Sequence, residues 1–515
     1  MMAFVFRWLL RLVSLMVFLA VAAFSLTYYF ASRSLPDYTA EAAALGLNAP
    51  LEIVRDNANV PHIFGENDAD VYFGLGYAHA QDRLWQMTML RRTAQGRLSE
   101  LFGERTLGID SVIRRFDIYN LAAASVKVQD AKTKVALDAY AAGVNAWLSE
   151  INTGSRGRGA PEMWLFNHPV APWQPTDSLA ILKLMALQLS SHLEKEVLRA
   201  RTSLMMPAER LTDILPDDPS DALVALPDYA QLVPGLPRYT PNSRLAYDPL
   251  NPSKRPELAG ASNAWAAGID RSATGATLMA NDPHLGLTAP TIWYLARLEL
   301  QSGGAIGGTI PGMPAILTGR SNDLGWGLTS SYLDDQDVFL EELNPDAPEE
   351  YRTANGWAKF RSRESIVRIK DAPAVTLNLR WSVNGPIMPR DQYDLGSITP
   401  AGHVAAIGWT ALSDKDTSMS AALALPTANN VQDAIRLAEN YIAPSQNLTL
   451  ADRNQIAMKT IGAFPARDPA HVSQGRLPSF GYLPQNQWRG RLPYADNPVF
   501  VNPKCGILGN THNKV

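Results

Sequence analysis

The chain has 515 residues, 46% of them apolar, and a formal charge of -4. That is enough apolar material for a large core, and basic residues this dispersed give no nucleic-acid surface and no strongly acidic partner. The single cysteine, Cys505, excludes an internal disulfide and offers no thiolate spacing for a metal.

In chain order, Arg7 and Arg11 precede an uncharged, largely apolar run from Leu12 to Ala31 that ends at Arg33 and Pro36. This is the layout of an export signal with its basic end held in the cytoplasm, so the mature chain is expected in the periplasm. Ala20-Val21-Ala22 suits signal cleavage, yet the run is also long enough to span a bilayer; the expectation for residues 1–33 leans towards an uncleaved anchor in the inner membrane. Residues 34–214 read as mostly helical. Apolar and small residues recur at helical spacing from Asp70 to Arg92 and from Ala131 to Ile151, as in Leu137, Tyr140, Ala141, Val144 and Leu148. Asp177 is placed to cap a further helix that turns Ile181, Leu184, Met185 and Leu189 inward. Residues 215–261 carry prolines at 216, 219, 227, 234, 237, 241, 249, 252 and 256, which interrupt any regular element and mark a linker.

After the linker comes Gly260-Ala261-Ser262-Asn263-Ala264-Trp265. A serine hydroxyl needs a base before it is a useful nucleophile, and a cut just before Ser262 would supply one as the new α-amino group. Such a group titrates near ~7.7 to 8.0 and takes a proton directly or through one water. Beyond Ser262 the pattern changes to period two. Leu298 and Leu300 alternate with Arg297 and Glu299, and Val375, Leu377, Leu379, Trp381 and Val383 follow a turn at Asp371-Ala372-Pro373. A helical part followed by strands gives the class α+β. No Gly-x-Ser-x-Gly elbow encloses Ser262, which argues against a separate Ser-His-Asp triad.

Several segments, in order, resemble the penicillin acylase family of N-terminal nucleophile hydrolases, which includes cephalosporin and acyl-homoserine lactone acylases. They are Val60 to Phe64, Gly76 to Met87, Trp173 to Asp177, Gly260 to Trp265, Asn281 to Leu285, Gly325 to Thr329, Asp334 to Phe339 and Asn502 to Gly506. The resemblance implies a four-layer αββα sandwich and a self-processing precursor that yields an α and a β chain. It implies hydrolysis of a small linear acyl amide, an N-acyl homoserine lactone or a β-lactam side-chain amide, through an acyl-enzyme on Ser262. It also implies that a backbone N–H at Ser330 and an asparagine side chain stabilise the oxyanion. His512 stands where that asparagine is expected, with Asn510 and Asn513 as neighbours that a one-residue slip would bring in, and a histidine ring can donate from a nitrogen. His284 falls where the family places a residue against the nucleophile's amine.

The same resemblance implies a structural Ca²⁺ bound by Asp334, Asp337, the backbone of Gln336 and Glu196, although an isolated acidic triplet reads equally as a solvated loop. No organic cofactor is expected. The resemblance also places Ala186, Ser190, Leu285, Thr318 and Leu328 at acyl-pocket positions where aromatic-acyl-specific relatives carry bulkier residues, with Trp409 retained; the smaller lining suits an aliphatic acyl chain, each buried methylene being worth roughly 0.8 kcal/mol, although differences in core packing would account for the same residues. Family members continue past the segment from Asn502 to Asn513, so the chain reads as the N-terminal portion of an acylase. The alternative is a catalytically impaired or inactive fragment of one.

Overall fold

Two helices meet through glycine in the computed structural model, which describes residues 2–41, 43, 46–153, 159–166, 169–206, 210–215, 225–236, 262–286 and 288–511. Where the helix Asp68–Gln95 crosses the helix Ala131–Asn152, a Cβ on Gly76 would stand 2.1 Å from the Tyr140 carbonyl oxygen. One on Gly143 would stand 1.9 Å from that of Phe73. Any larger residue forces the pair apart. The Asn67 side chain caps the first of these helices by accepting the Asp70 N–H at 3.0 Å, and Gly96 ends it at φ 61°. A third helix, Pro175–Leu189, buries Ile181, Leu184 and Met185 and leaves Leu189 half-buried. Asp177 lies in its first turn rather than at the cap, and accepts the Gln174 N–H at 2.8 Å.

These helices cover a nine-stranded sheet that takes strands from both sides of the linker. Its order is Leu51–Arg55, Pro61–Gly65, Tyr294–Glu299, Ala305–Thr309, Thr318–Arg320, Leu324–Ser330, Gln446–Asp452, Ile456–Ile461 and Val499–Val501. All neighbours are antiparallel except Pro61–Gly65 and Tyr294–Glu299, which pair in parallel through His62↔Arg297, Ile63↔Leu298 and Phe64↔Glu299. The sequence division at 215–261 is therefore not a division in space. Part of the predicted linker is also anchored: Tyr229 is fully buried and donates its hydroxyl to the Ile398 carbonyl at 2.7 Å. Most of the rest of 215–261 lies outside the described residues.

A three-stranded sheet, Ile507–Asn510, Asn263–Ala267 and Leu278–Asp282, lies on the other face. Side-chain alternation separates the two faces. Ala457 and Ile461 join the large core that includes the helices, whereas Ile456 and Met458 pack with Ala266, Leu508 and Met279 of the small sheet. The fold is α+β, with helix, sheet and sheet layers stacked among the described residues. A third sheet is built round Gln336–Asn344 and His403–Trp409, with Ala347–Thr353, Gly356–Lys359 and Ile387–Met388 beside them. The predicted strand after Asp371 forms as Ala372–Trp381, turned by Lys370 and Asp371, with Pro373 inside it. It buries Leu379 and Trp381, while Val383 lies beyond its end and is exposed.

The N-terminal helix Met2–Ser32 is exposed from Phe4 to Tyr29, meets the body at its last turn, where the Phe30 ring lies 4.6 Å from that of Trp164, and is long and apolar enough over Phe4–Ser32 to cross a membrane, which fits an export signal. The segment after it is held to the domain. Tyr38 donates to Asp82 at 3.0 Å, and the Arg55 guanidinium lies 4.1 Å from the centre of the Tyr38 ring.

Within the motif from Gly76 to Met87, His79 is fully buried between the helix layer and the sheet. Thr309 uses its proton on the Tyr294 carbonyl at 2.8 Å, so its oxygen, 2.9 Å from His79 Nε2, accepts from the ring, while the Tyr140 hydroxyl donates to Nδ1 at 2.7 Å. Burial, and then the nearby charge of Arg83, pushes the imidazole down to about 3. A neutral folded histidine contributes stability that is fully present above the unfolded value of about 6.5 and is lost as pH falls towards 3, at about 1.4 kcal/mol per pH unit. Melting curves down to about pH 4.5 should show a shallower acid slope in His79→Gln than in the wild type. Equal slopes would dismiss this role.

Candidate active site

Ser262 opens the strand Asn263–Ala267 and is itself buried. It lines a pocket walled by Leu182, Met185 and Leu189 of the third helix, by Leu285, Trp293, Ile310, Met313 and Leu317, and by Thr318 and Leu328 of the large sheet. Ser330, at the end of the strand Leu324–Ser330, lines the same pocket. A reacting carbonyl seated beside Ser262 would thus have Ser330 in the same enclosure and an apolar space for its acyl chain.

The sequence-predicted pocket residues divide into three groups. Leu285, Thr318 and Leu328 share the Ser262 pocket. Ala186 and Ser190 line an adjoining small cavity with Ser330, Asp335 and His192, and Leu189 and Pro444 border both spaces. Trp409 lines neither. Its ring packs edge-on to Phe116 at 5.8 Å and its indole N–H points at Asp335 Oδ2, 3.4 Å away, so strand His403–Trp409 directs it into the core. Burial, then the charge of Asp334, pushes the Asp335 carboxyl up to about 7.

His284 pairs with Asp282, Nε2 to Oδ2 at 3.0 Å, and both side chains are largely open to solvent. His512 and Asn513 lie outside the described residues. Asn510, by contrast, is buried at the end of the small sheet, where its side-chain oxygen accepts from Thr329 Oγ1 at 2.9 Å. A residue that pattern reading missed stands opposite it. Asn281 donates to the carbonyl oxygens of Asn263 and Leu328 at 3.0 and 3.1 Å and accepts from Thr318 Oγ1 and the Leu328 N–H at 2.8 and 3.2 Å. Its place in Asn281-Asp282-Pro283-His284 was visible; its partners, 18 to 47 residues away, were not.

Glu196, Asp334 and Asp337 come to one locus, but an arginine stands among them. Arg467 donates from Nε to both Asp337 oxygens at 3.2 and 3.0 Å and from Nη2 to Oδ1 at 2.6 Å, and Nη2 lies 3.3 Å from Asp334 Oδ1. The Gln336 side chain accepts the Leu193 N–H at 2.8 Å. Glu196 Oε2 accepts the Val338 N–H at 3.0 Å, while its buried Oε1 has no hydrogen-bond partner. Burial, then Asp337 and Asp334, raises the Glu196 carboxyl well above the usual range. Among the described residues no three carboxylate, imidazole or thiolate groups enclose an ion as they stand. Arg467 takes the oxygens of Asp337 that a metal would need.

A layered α+β protein with a pocketed serine at the head of a strand in the smaller sheet defines the class in which a hydrolytic nucleophile is sought. Residues 50–515 match the family model described as penicillin amidase, and the chain belongs to that family. It is 28% identical to acyl-homoserine lactone acylase QuiP of Pseudomonas aeruginosa over 93% of this chain and 57% of the relative. It is 27% identical to penicillin acylase 2 proenzyme of Pseudomonas sp. (strain SE83), over 94% and 61%, and 27% to penicillin G acylase of Escherichia coli, over 95% and 61%. The chain thus spans 57% to 61% of the length of these relatives.

Proposed function

We propose that this chain carries the nucleophile and acyl pocket of an exported, self-processing acylase that hydrolyses a linear amide. The observation that carries the reading is the shared apolar pocket of Ser262 and Ser330. Cleavage of the Ala261–Ser262 bond frees the α-amino group, which accepts the hydroxyl proton as Oγ attacks the substrate carbonyl. The Ser330 N–H and a donor from His512 hold the oxyanion. Collapse of the tetrahedral intermediate passes the proton to the departing amine and leaves an ester on Oγ. Water, giving its proton to the same α-amino group, hydrolyses that ester and restores the serine. His284, oriented by Asp282, tunes the amine.

Ca²⁺, where bound, supplies structural charge balance and no step of this chemistry. Asp334, Asp337, Glu196 and the Gln336 backbone would hold it, in competition with Arg467 for the Asp337 oxygens.

The mainly aliphatic lining, with Trp293 and Tyr441 as its aromatic members, favours medium or long unbranched acyl groups over phenylacetyl. Across N-acyl homoserine lactones from acetyl to dodecanoyl, kcat/KM of the purified protein should rise about fourfold for each methylene buried until the pocket is full. A flat series, or a preference for the phenylacetyl amide of penicillin G, would reject the aliphatic assignment. No turnover of any acyl amide by a folded, cleaved protein would reject the acylase.

A further inference from the structure

Asn281 and Asn510 flank the strand that Ser262 opens, since both are paired with Ala264 across the small sheet. Both side chains reach over to the strand Leu324–Ser330 of the large sheet, Asn510 meeting Thr329 and Asn281 meeting Leu328. Between the two sheets Ala266, Met279 and Leu508 pack on Ile456 and Met458, an apolar contact that fixes separation but does little to stop one sheet sliding on the other. Directional bonds remove that freedom.

Asn281 has the greater reach. One side chain ties Asn263, the residue after the nucleophile, to Leu328, two residues before Ser330, and to Thr318 in the pocket wall. Both amide N–H bonds and the carbonyl oxygen of Asn281 are directed to these partners. The Gly325-Trp326-Gly327 run admits this contact. A Cβ on Gly327 would stand 2.5 Å from Asn281 Cβ and 2.8 Å from Met279 Cε, so only glycine at that position lets the two sheets approach closely enough for the amide to bridge them. Trp326 between the glycines faces the opposite way, buried in the large core with its indole N–H on the Ile316 carbonyl at 3.1 Å. Two motifs separated in sequence thus meet at one amide group.

We propose that Asn281 is a positioning residue that sets the Ser262 hydroxyl in register with the Ser330 N–H, acting through Asn263 on one side and Leu328 on the other. The proposal rests on the acylase reading for its catalytic consequence. A displacement of about 1 Å between nucleophile and oxyanion donor costs on the order of 10²-fold in rate. Because the acyl pocket is built mainly from other side chains, substrate affinity is spared. The Asn510–Thr329 bond and the apolar packing between the sheets keep the small sheet in place when Asn281 is changed.

The test compares wild type, Asn281→Ala and the milder Thr318→Val, which removes only one of the bonds to Asn281. Steady-state kinetics on an aliphatic acyl amide is paired with amide hydrogen exchange over Asn263–Ala267 and Leu328–Ser330, with the helix Asp68–Gln95 as internal reference. In Asn281→Ala, kcat should fall by about 10²-fold with KM changed by less than about threefold, and exchange in the two strands should rise at least about tenfold while the helix is unaltered. Thr318→Val should shift both readouts in the same direction by a smaller factor, which preserves the test if the alanine variant fails to fold. Unchanged exchange, or a kcat within about threefold of wild type, overturns the positioning role. If the wild type turns over no acyl amide, the acylase reading falls, and the exchange arm still decides whether Asn281 fixes the two strands.

Discussion

Ser262→Ala is expected to leave the chain whole, whereas the wild type yields two pieces, the second starting at Ser262. Mass spectrometry of the purified proteins reads this directly. On the proposed mechanism, alanine removes both the hydroxyl that would attack the preceding carbonyl during processing and the oxygen that would form the acyl-enzyme. Turnover should therefore fall on the order of 10⁴-fold or more, because the nucleophile acts as a unit with its own amine. A wild type that stays intact while unfolding cooperatively would remove Ser262 as an N-terminal nucleophile. A Ser262→Ala protein that is still cut at the same bond would assign processing to another group.

The second large effect is expected at Arg467. Its side chain is well buried and meets Asp337, itself 2% exposed at the side chain, while Asp334 remains partly open to water. Breaking a buried ion pair by removing one partner leaves the other charge uncompensated and costs about 3 to 5 kcal/mol. Arg467→Met should lose stability of that order in denaturant unfolding, and added Ca²⁺ should restore several degrees of melting temperature by binding the vacated oxygens in the folded state alone. In the wild type a chelator should change little, since the guanidinium holds Asp337. A large chelator effect on the wild type would return the locus to calcium, and no calcium response in either protein would exclude that ion from the site.

Much of the fold was legible because it rests on local pattern. Helical spacing located Asp68–Gln95 and Ala131–Asn152, and alternation located Tyr294–Glu299 and Ala372–Trp381. The position of Ser262 was legible as a small-residue turn before a strand, and the pocket residues Leu285, Thr318 and Leu328 through resemblance. What escaped depends on contacts between distant positions. Arg467 lies 130 residues after Asp337, and nothing in Phe464-Pro465-Ala466-Arg467 marks it as the partner of an acidic turn. Trp409 was assigned to the pocket through resemblance, but strand alternation decides which face it occupies, and that face is the core. The proline-rich stretch was legible as a linker, but composition reports where the chain lacks regular structure and not which of the flanking strands pair, so the parallel pairing of Pro61–Gly65 with Tyr294–Glu299 was not visible.

That shared sheet changes what the linker contributes. Before the fold closes, Pro61–Gly65 and Tyr294–Glu299 must find each other across more than 200 intervening residues, and a tether makes the encounter intramolecular, at an effective concentration far above that of separate chains in a cell. Once the sheet has formed, His79 on Thr309, Lys183 on Asp416 at 2.9 Å and the parallel pairing itself hold the two halves without it. Peptide continuity at residue 261 then matters to the history of the molecule more than to its cohesion. A cut there relieves a covalent constraint but creates no new pair of free bodies, so the nascent terminus appears inside an assembly that is already closed around it.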